Sequence, residues 1–201
     1  MSEKSGVFKI WLVGAANPTS FQYNCYGEGT MFAIGMKLKM MLNQICQHKK
    51  SVFASADYSW DMGSVAATDV VVYCVGTKEH GSLIKDKNGK PIHESASGGT
   101  YAYSGGMISE VYLRTIDGAA DFSSVAANII FHEIMHNKLD APTPKTIGDI
   151  HTQGGGGLAN AVVSAGSALT PQNVELMAGA LGKKVTQYTA DMQTPLTGIE
   201  K

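Results

Sequence analysis

His132, Glu133 and His136 fall within FHEIMHNKLD, residues 131 to 140 of the chain. Residues four apart share one face of an α-helix, so two imidazoles at this spacing can offer ring nitrogens to a single cation, and zinc takes such nitrogens at ~2.0 to 2.1 Å. Glu133, one residue on and ~100° around the helix, can reach a water on that metal without being a ligand itself. A general base belongs at that place. Zinc draws the pKa of its water from about 15.7 toward ~7, and the carboxylate can take the proton and hand it to a leaving amine. These residue types at this spacing fit hydrolysis of an amide bond.

For this chemistry to operate, the five residues must lie on a helix, and the flanking sequence predicts one. Asp117-Gly118 turns the chain, Asp121, Ser123 or Ser124 can cap, and the apolar positions of SSVAANIIFHEIMHNK continue through the motif. Upstream, VFKIWLVG (7 to 14) alternates and reads as a strand ending at Gly14. A loop at Asn17-Pro18 follows, and then Met31, Ile34, Leu38, Met41, Leu42 and Ile45 at helical spacing predict a long amphipathic helix with HKK at its end. DVVVYCVGT (69 to 77) is the most apolar run and reads as a central strand buried on both faces. Asn88-Gly89 signals a hairpin, SASGGTYAYSGG reads as loose, and MISEVYLRT (107 to 115) as a further strand. Beyond the motif come Pro142, Pro144 and IGDIHTQGGGG, a short helix over 158 to 165, and a helix opened by Thr170-Pro171 with Gly182 as its stop. The expected fold class is α+β: a mixed sheet of about four to five strands backed by a long helix and the motif-bearing helix.

Bulk properties narrow the function classes. The 201 residues suffice for one domain, taken as 1–140 for sheet and motif helix and 141–201 for a smaller, mainly helical C-terminal part. Net charge is −1 with Lys and Arg scattered, which leaves no footprint for nucleic acid or an anionic membrane. The longest apolar run, 70 to 75, is far short of the ~20 residues of a membrane span. No secretory signal is visible at the N-terminus, so the expected location is cytoplasmic, or outside by way of a dedicated secretion machine. Cys25, Cys46 and Cys74 form no CxxC pair and read as buried thiols. No G-x-S-x-G occurs, which removes support for a serine hydrolase.

At this point HEIMH, on a helix that follows a strand-helix-strand unit, resembles the zincin superfamily of metallopeptidases. The resemblance covers roughly residues 7 to 140 in element order, and HEIMH is its only residue-specific part. It implies a zincin-like domain in which His132 and His136 bind Zn2+, Glu133 is the base, and an edge strand, for which MISEVYLRT is the candidate, pairs with an extended peptide or protein substrate. The chain departs from metzincins: Leu139 and Pro142 stand where that group has its glycine and third histidine, and no Met lies between 152 and 170. A catalytic zinc takes three protein ligands and keeps one open position. His151 is favoured as the third, its following glycines allowing close backbone approach; Asp149 and Asp140 are the alternatives, Asp140 being better placed to orient His136 or to end the helix. Glu175 reads as a helix-surface charge, and His48, His80 and His93 as solvated. Tyr101, Tyr103 and Tyr188 are candidate oxyanion stabilisers. Size and the missing signal resemble small bacterial toxin or effector metallopeptidases. The other reading is a non-catalytic module on the same scaffold, with a structural metal or none.

Overall fold

A computed structural model describes residues 4–14, 26–76, 83–86, 88–90, 97–103, 106–140 and 150–189 of the chain. Its strands are β1 (Val7–Val13), β2 (Ser55–Ser59), β3 (Val70–Val75), β4 (Gly98–Tyr103), β5 (Gly106–Tyr112) and β6 (Thr186–Gln187). Its helices are α1 (Glu28–Gln47), α2 (Phe122–Leu139), α3 (Ile150–Gln153) and α4 (Pro171–Ala180), with 3-10 turns at Leu113–Ile116 and Gly157–Ala159.

Alternation along β1 sends Phe8, Ile10 and Leu12 into one apolar cluster and Trp11 into another, so the strand divides two layers. The helices cover the first face. Ile34, Leu38, Leu42 and Ile45 of α1 recur at helical spacing and are buried there, with Met177 and Ala178 of α4 in the same cluster. Leu83, Ile84 and Tyr188 cover Val71, Tyr73, Ile108 and Tyr112 on the second face.

The sheet runs β2-β1-β3-β5-β4, with β6 beside β5. Every pairing is parallel except β4 with β5. β3 lies between β1 and β5 and all six of its residues are buried, as its unbroken apolar run predicts.

α2 is buried almost all the way round, since it is wedged between the sheet and the rest of the core. Asp121 caps it by accepting from the Ser124 backbone N–H at 3.1 Å. Ile130, Phe131 and Ile134 are fully buried, and truncating any one to alanine costs on the order of 2 to 5 kcal/mol. The helix that carries the motif is therefore anchored in the core.

Four expectations need correction. The described strands number six, not four or five. MISEVY of the expected strand over 107 to 115 lies in β5 while LRT turns into the 3-10 segment, and β5 is an interior strand, because the stretch before it, read as loose, folds into β4 and takes the edge position. The helix over 158 to 165 is reduced to the turn Gly157–Ala159; beyond it, Asn128 Nδ2 donates to the Ser164 and Ser167 carbonyls, which fixes irregular backbone there. β6 had no sequence signal, being two residues long. The Asn88-Gly89 turn is present, with Asp86 N donating to Lys90 O at 2.8 Å and Gly89 at φ 76°, while the hairpin's return arm lies outside the described residues.

Candidate metal centre

α2 presents His132 and His136 on one face, and their Nε2 atoms lie 3.1 Å apart. α3 brings His151 to the same point, its Nε2 3.3 Å from that of His132. The three ligand atoms lie within 4.8 Å of one another. Nitrogens bonded at ~2.0 to 2.1 Å to one tetrahedral ion stand about 3.3 to 3.4 Å apart, so the 3.1 and 3.3 Å spacings are those of a group that could hold a metal ion.

Hydrogen bonds at the far side of two rings fix their tautomers. His132 Nδ1 is 2.7 Å from the Leu158 carbonyl, which can only accept, so Nδ1 carries the proton and the Nε2 lone pair points to the centre. His136 Nδ1 is 2.5 Å from Asp140 Oδ2, with the same result. Asp140 is at once the C-cap of α2 and the orienting partner of His136, and not a ligand. With both rings neutral these lone pairs face one another and repel, and a proton or a metal ion between them removes the repulsion.

The Leu158 carbonyl arrives by way of the tetraglycine loop, residues 154–157. Gly155, Gly156 and Gly157 have φ of 78°, 72° and 61°, the left-handed region that glycine adopts at least cost. Asn173, fully buried on α4, organises the turn: its Nδ2 donates to Gly154 O and Gly156 O, and its Oδ1 accepts from Leu158 N at 3.3 Å and Thr170 N at 3.1 Å. The expectation that these glycines allow close backbone approach is met at Leu158.

Glu133 is only 4% exposed and lies against β4. Thr100 donates to its Oε2 at 2.8 Å. Gly98 permits the approach, because a Cβ there would stand 2.7 Å from Glu133 Oε1. Burial pushes the Glu133 carboxyl up to about 7, opposed by the positive character of His136 and the Thr100 hydrogen bond. A cation at the histidines acts in the same direction as His136.

These groups line a cleft of about 360 Å³ between β4 (Gly98, Gly99, Thr100), α2 and residues 161–163. His132 is buried and His151 exposed, so the cluster opens to solvent on one side, as a site that admits substrate requires. A larger cavity of about 590 Å³ between residues 62–67 and 184–189 has no histidine or carboxylate in its wall among the described residues.

Among the described residues, the other candidates do not join this site. Glu175 pairs with Lys50 on the surface at 2.6 Å. His48 accepts from the Lys50 backbone N–H at 3.3 Å. Tyr101 and Tyr188 pack on the far face of the sheet. Asp149, His80 and His93 and the side chain of Tyr103 lie outside the described residues. Cys46 and Cys74 are buried thiols, both pushed up by burial, and Cys25 lies outside the described residues. Sequence reasoning missed Gly98, Thr100, the Leu158 carbonyl and Asn173. Only the run of glycines hinted at any of them. Compared with protein-family models, curated proteins and solved structures, the chain finds no match.

Proposed function

We propose that the protein is a zinc-dependent hydrolase of the zincin type that cleaves peptide bonds. The observation that carries this reading is the convergence of the His132, His136 and His151 Nε2 atoms beside a buried carboxylate at an open cleft. His132, His136 and His151 would hold the ion. When bound, zinc acts as a Lewis acid that acidifies water and polarises a carbonyl oxygen.

The chain's own residues do the rest. Glu133 accepts the proton of an attacking water at Oε1 while Oε2 stays bound to Thr100, and then delivers that proton to the leaving nitrogen. Leu158 O and Asp140 hold two imidazoles in the tautomer that presents Nε2. β4, which pairs only with β5 among the described residues, offers its other edge to an extended chain, and its Gly98 and Gly99 line the cleft without side chains to obstruct it. The substrate-binding strand in this reading is β4 and not β5.

The test is hydrolysis of fluorescently labelled casein by the zinc-loaded chain and by Glu133→Gln. The variant should keep its zinc and lose activity by ~10² to 10⁴-fold, the span expected for removing a general base. Equal activity in the two proteins would rule out the mechanism, and no activity in either would favour the non-catalytic module.

A further inference from the structure

Behind Glu133 a row of buried polar side chains crosses from α2 through the sheet. Thr100 of β4 and Ser109 of β5 are cross-strand partners whose side chains face α2. Their hydroxyl oxygens are 2.9 Å apart. Asn137 of α2 and Gln187 of β6 continue the row as a reciprocal amide pair, with both N···O distances 3.0 Å. Ser109 and Asn137 are wholly inaccessible and Gln187 nearly so, which makes any donor-acceptor mismatch among them costly.

The amide orientations at the far end of this row can be assigned. The Val71 backbone N–H donates to Gln187 Oε1 at 3.3 Å, and Gln187 Nε2 faces the Val185 carbonyl at 3.5 Å, so the amide has one orientation. Its Nε2 therefore donates to Asn137 Oδ1. That leaves Asn137 Nδ2 to donate to Ser109 Oγ at 3.0 Å. Thr100 Oγ1 has one proton and three neighbours, namely Ser109 Oγ, Glu133 O at 3.1 Å and Glu133 Oε2 at 2.8 Å. Glu133 acting as a base is ionised and only accepts, and its contact is the shortest of the three, so Thr100 is its donor; Ser109 Oγ, which accepts from Asn137, stands 2.9 Å behind the same hydroxyl.

Resting on the reading of Glu133 as the base, we propose that Thr100 is a positioning residue for it, itself held in place through the row Ser109, Asn137 and Gln187. The chain ties Oε2 to the sheet and thereby leaves Oε1, the oxygen over Gly98 at the cleft wall, as the one that meets substrate. A carboxylate fixed on one oxygen loses the side-chain rotation that would otherwise carry the base out of line.

Thr100→Val removes the hydroxyl at nearly constant shape, and Thr100→Ser keeps it. Two readouts on the full chain decide the matter. In labelled-casein hydrolysis by the zinc-loaded proteins, Thr100→Val should lower kcat by about 10 to 100-fold with KM and zinc content unchanged, and Thr100→Ser should restore most of it, as expected for loss and return of a hydrogen bond to a charged group. In nitrogen-15 NMR spectra of the same proteins, the side-chain amide protons of Asn137 and Gln187 should shift in Thr100→Val and in Glu133→Gln, and stay in place in Thr100→Ser. Unmoved Asn137 and Gln187 amides in Thr100→Val overturn the proposal, as does an unchanged kcat. A wild-type chain that hydrolyses nothing overturns the hydrolase reading instead, and the amide shifts then still decide whether the chain to Glu133 exists.

Discussion

A single missing methyl group governs the base. Gly98 lies on β4 where a Cβ would meet Glu133 Oε1 at 2.7 Å and Cγ at 3.0 Å, and the Glu110 carbonyl stands at 3.1 Å on the other side. Gly98→Ala therefore has to displace the carboxylate, and a displacement near 1 Å at a reacting group can cost about 10²-fold in rate. Steady-state kinetics of Gly98→Ala should show that loss in kcat while zinc content stays at the wild-type level, since the atoms nearest this position belong to Glu133 and Glu110 and not to the histidines. Equal kcat would mean that Glu133 does not act from where it lies. The same residue explains why the site was only partly legible in the sequence. HEIMH declares itself by spacing, and His151 by being a metal-binding type just beyond a loop. Thr100 and Gly98 carry no chemical signature and acquire their roles only when β4 is laid against α2.

The elements were legible to the degree that periodicity wrote them. β1, α1 and α4 repeat apolar residues at the period of their structure, β3 is an unbroken apolar run and α2 is apolar nearly all round, each over enough residues to be read, and Asp121 and Thr170-Pro171 mark two helix starts. β4 was hidden because Gly98-Gly99 imitates a loop, although both glycines are there to admit neighbours: the Glu133 carboxylate at one and the Tyr101 ring at the other. β6 and the irregular stretch after Ala159 are set by tertiary contacts, from β5 and from Asn128, that no local pattern encodes. The tetraglycine loop belongs to this class, and Asn173 is its keystone. Asn173→Ala removes four hydrogen bonds around Gly154, Gly156, Leu158 and Thr170. With the Leu158 carbonyl no longer held against His132, zinc affinity measured by competition with a chelating dye should fall about 10 to 100-fold, the usual effect of losing a ligand's outer partner. Wild-type affinity in a folded Asn173→Ala protein would show that the loop does not orient the ligand.

At the scale of the whole molecule, one buried cation ties the core together. Lys138, 0% exposed, sends Nζ from the last turn of α2 to the Thr68 and Lys183 carbonyls, each at 2.8 Å, and so joins the motif helix to the chain before β3 and after α4. Desolvation pushes its pKa down to about 8, against a smaller upward pull from Asp69. Because the folded value lies below the unfolded value of about 10.5, the folded state sheds its proton first, and stability relative to a Lys138→Met variant should rise with pH between about 8 and 10, by up to ~3 kcal/mol. Urea denaturation of both proteins at pH 7, 8.5 and 10 reads this difference; a constant difference across the range would show that the amine is not desolvated. The central claim, a single divalent ion held by three imidazoles from α2 and α3, is tested most directly by elemental analysis of the purified full chain after zinc loading and dialysis. About one zinc per wild-type chain is expected, falling to a small fraction in His132→Ala, His136→Ala and His151→Ala. A wild-type chain that retains no stoichiometric metal, or a His151→Ala variant that retains as much as wild type, would contradict it.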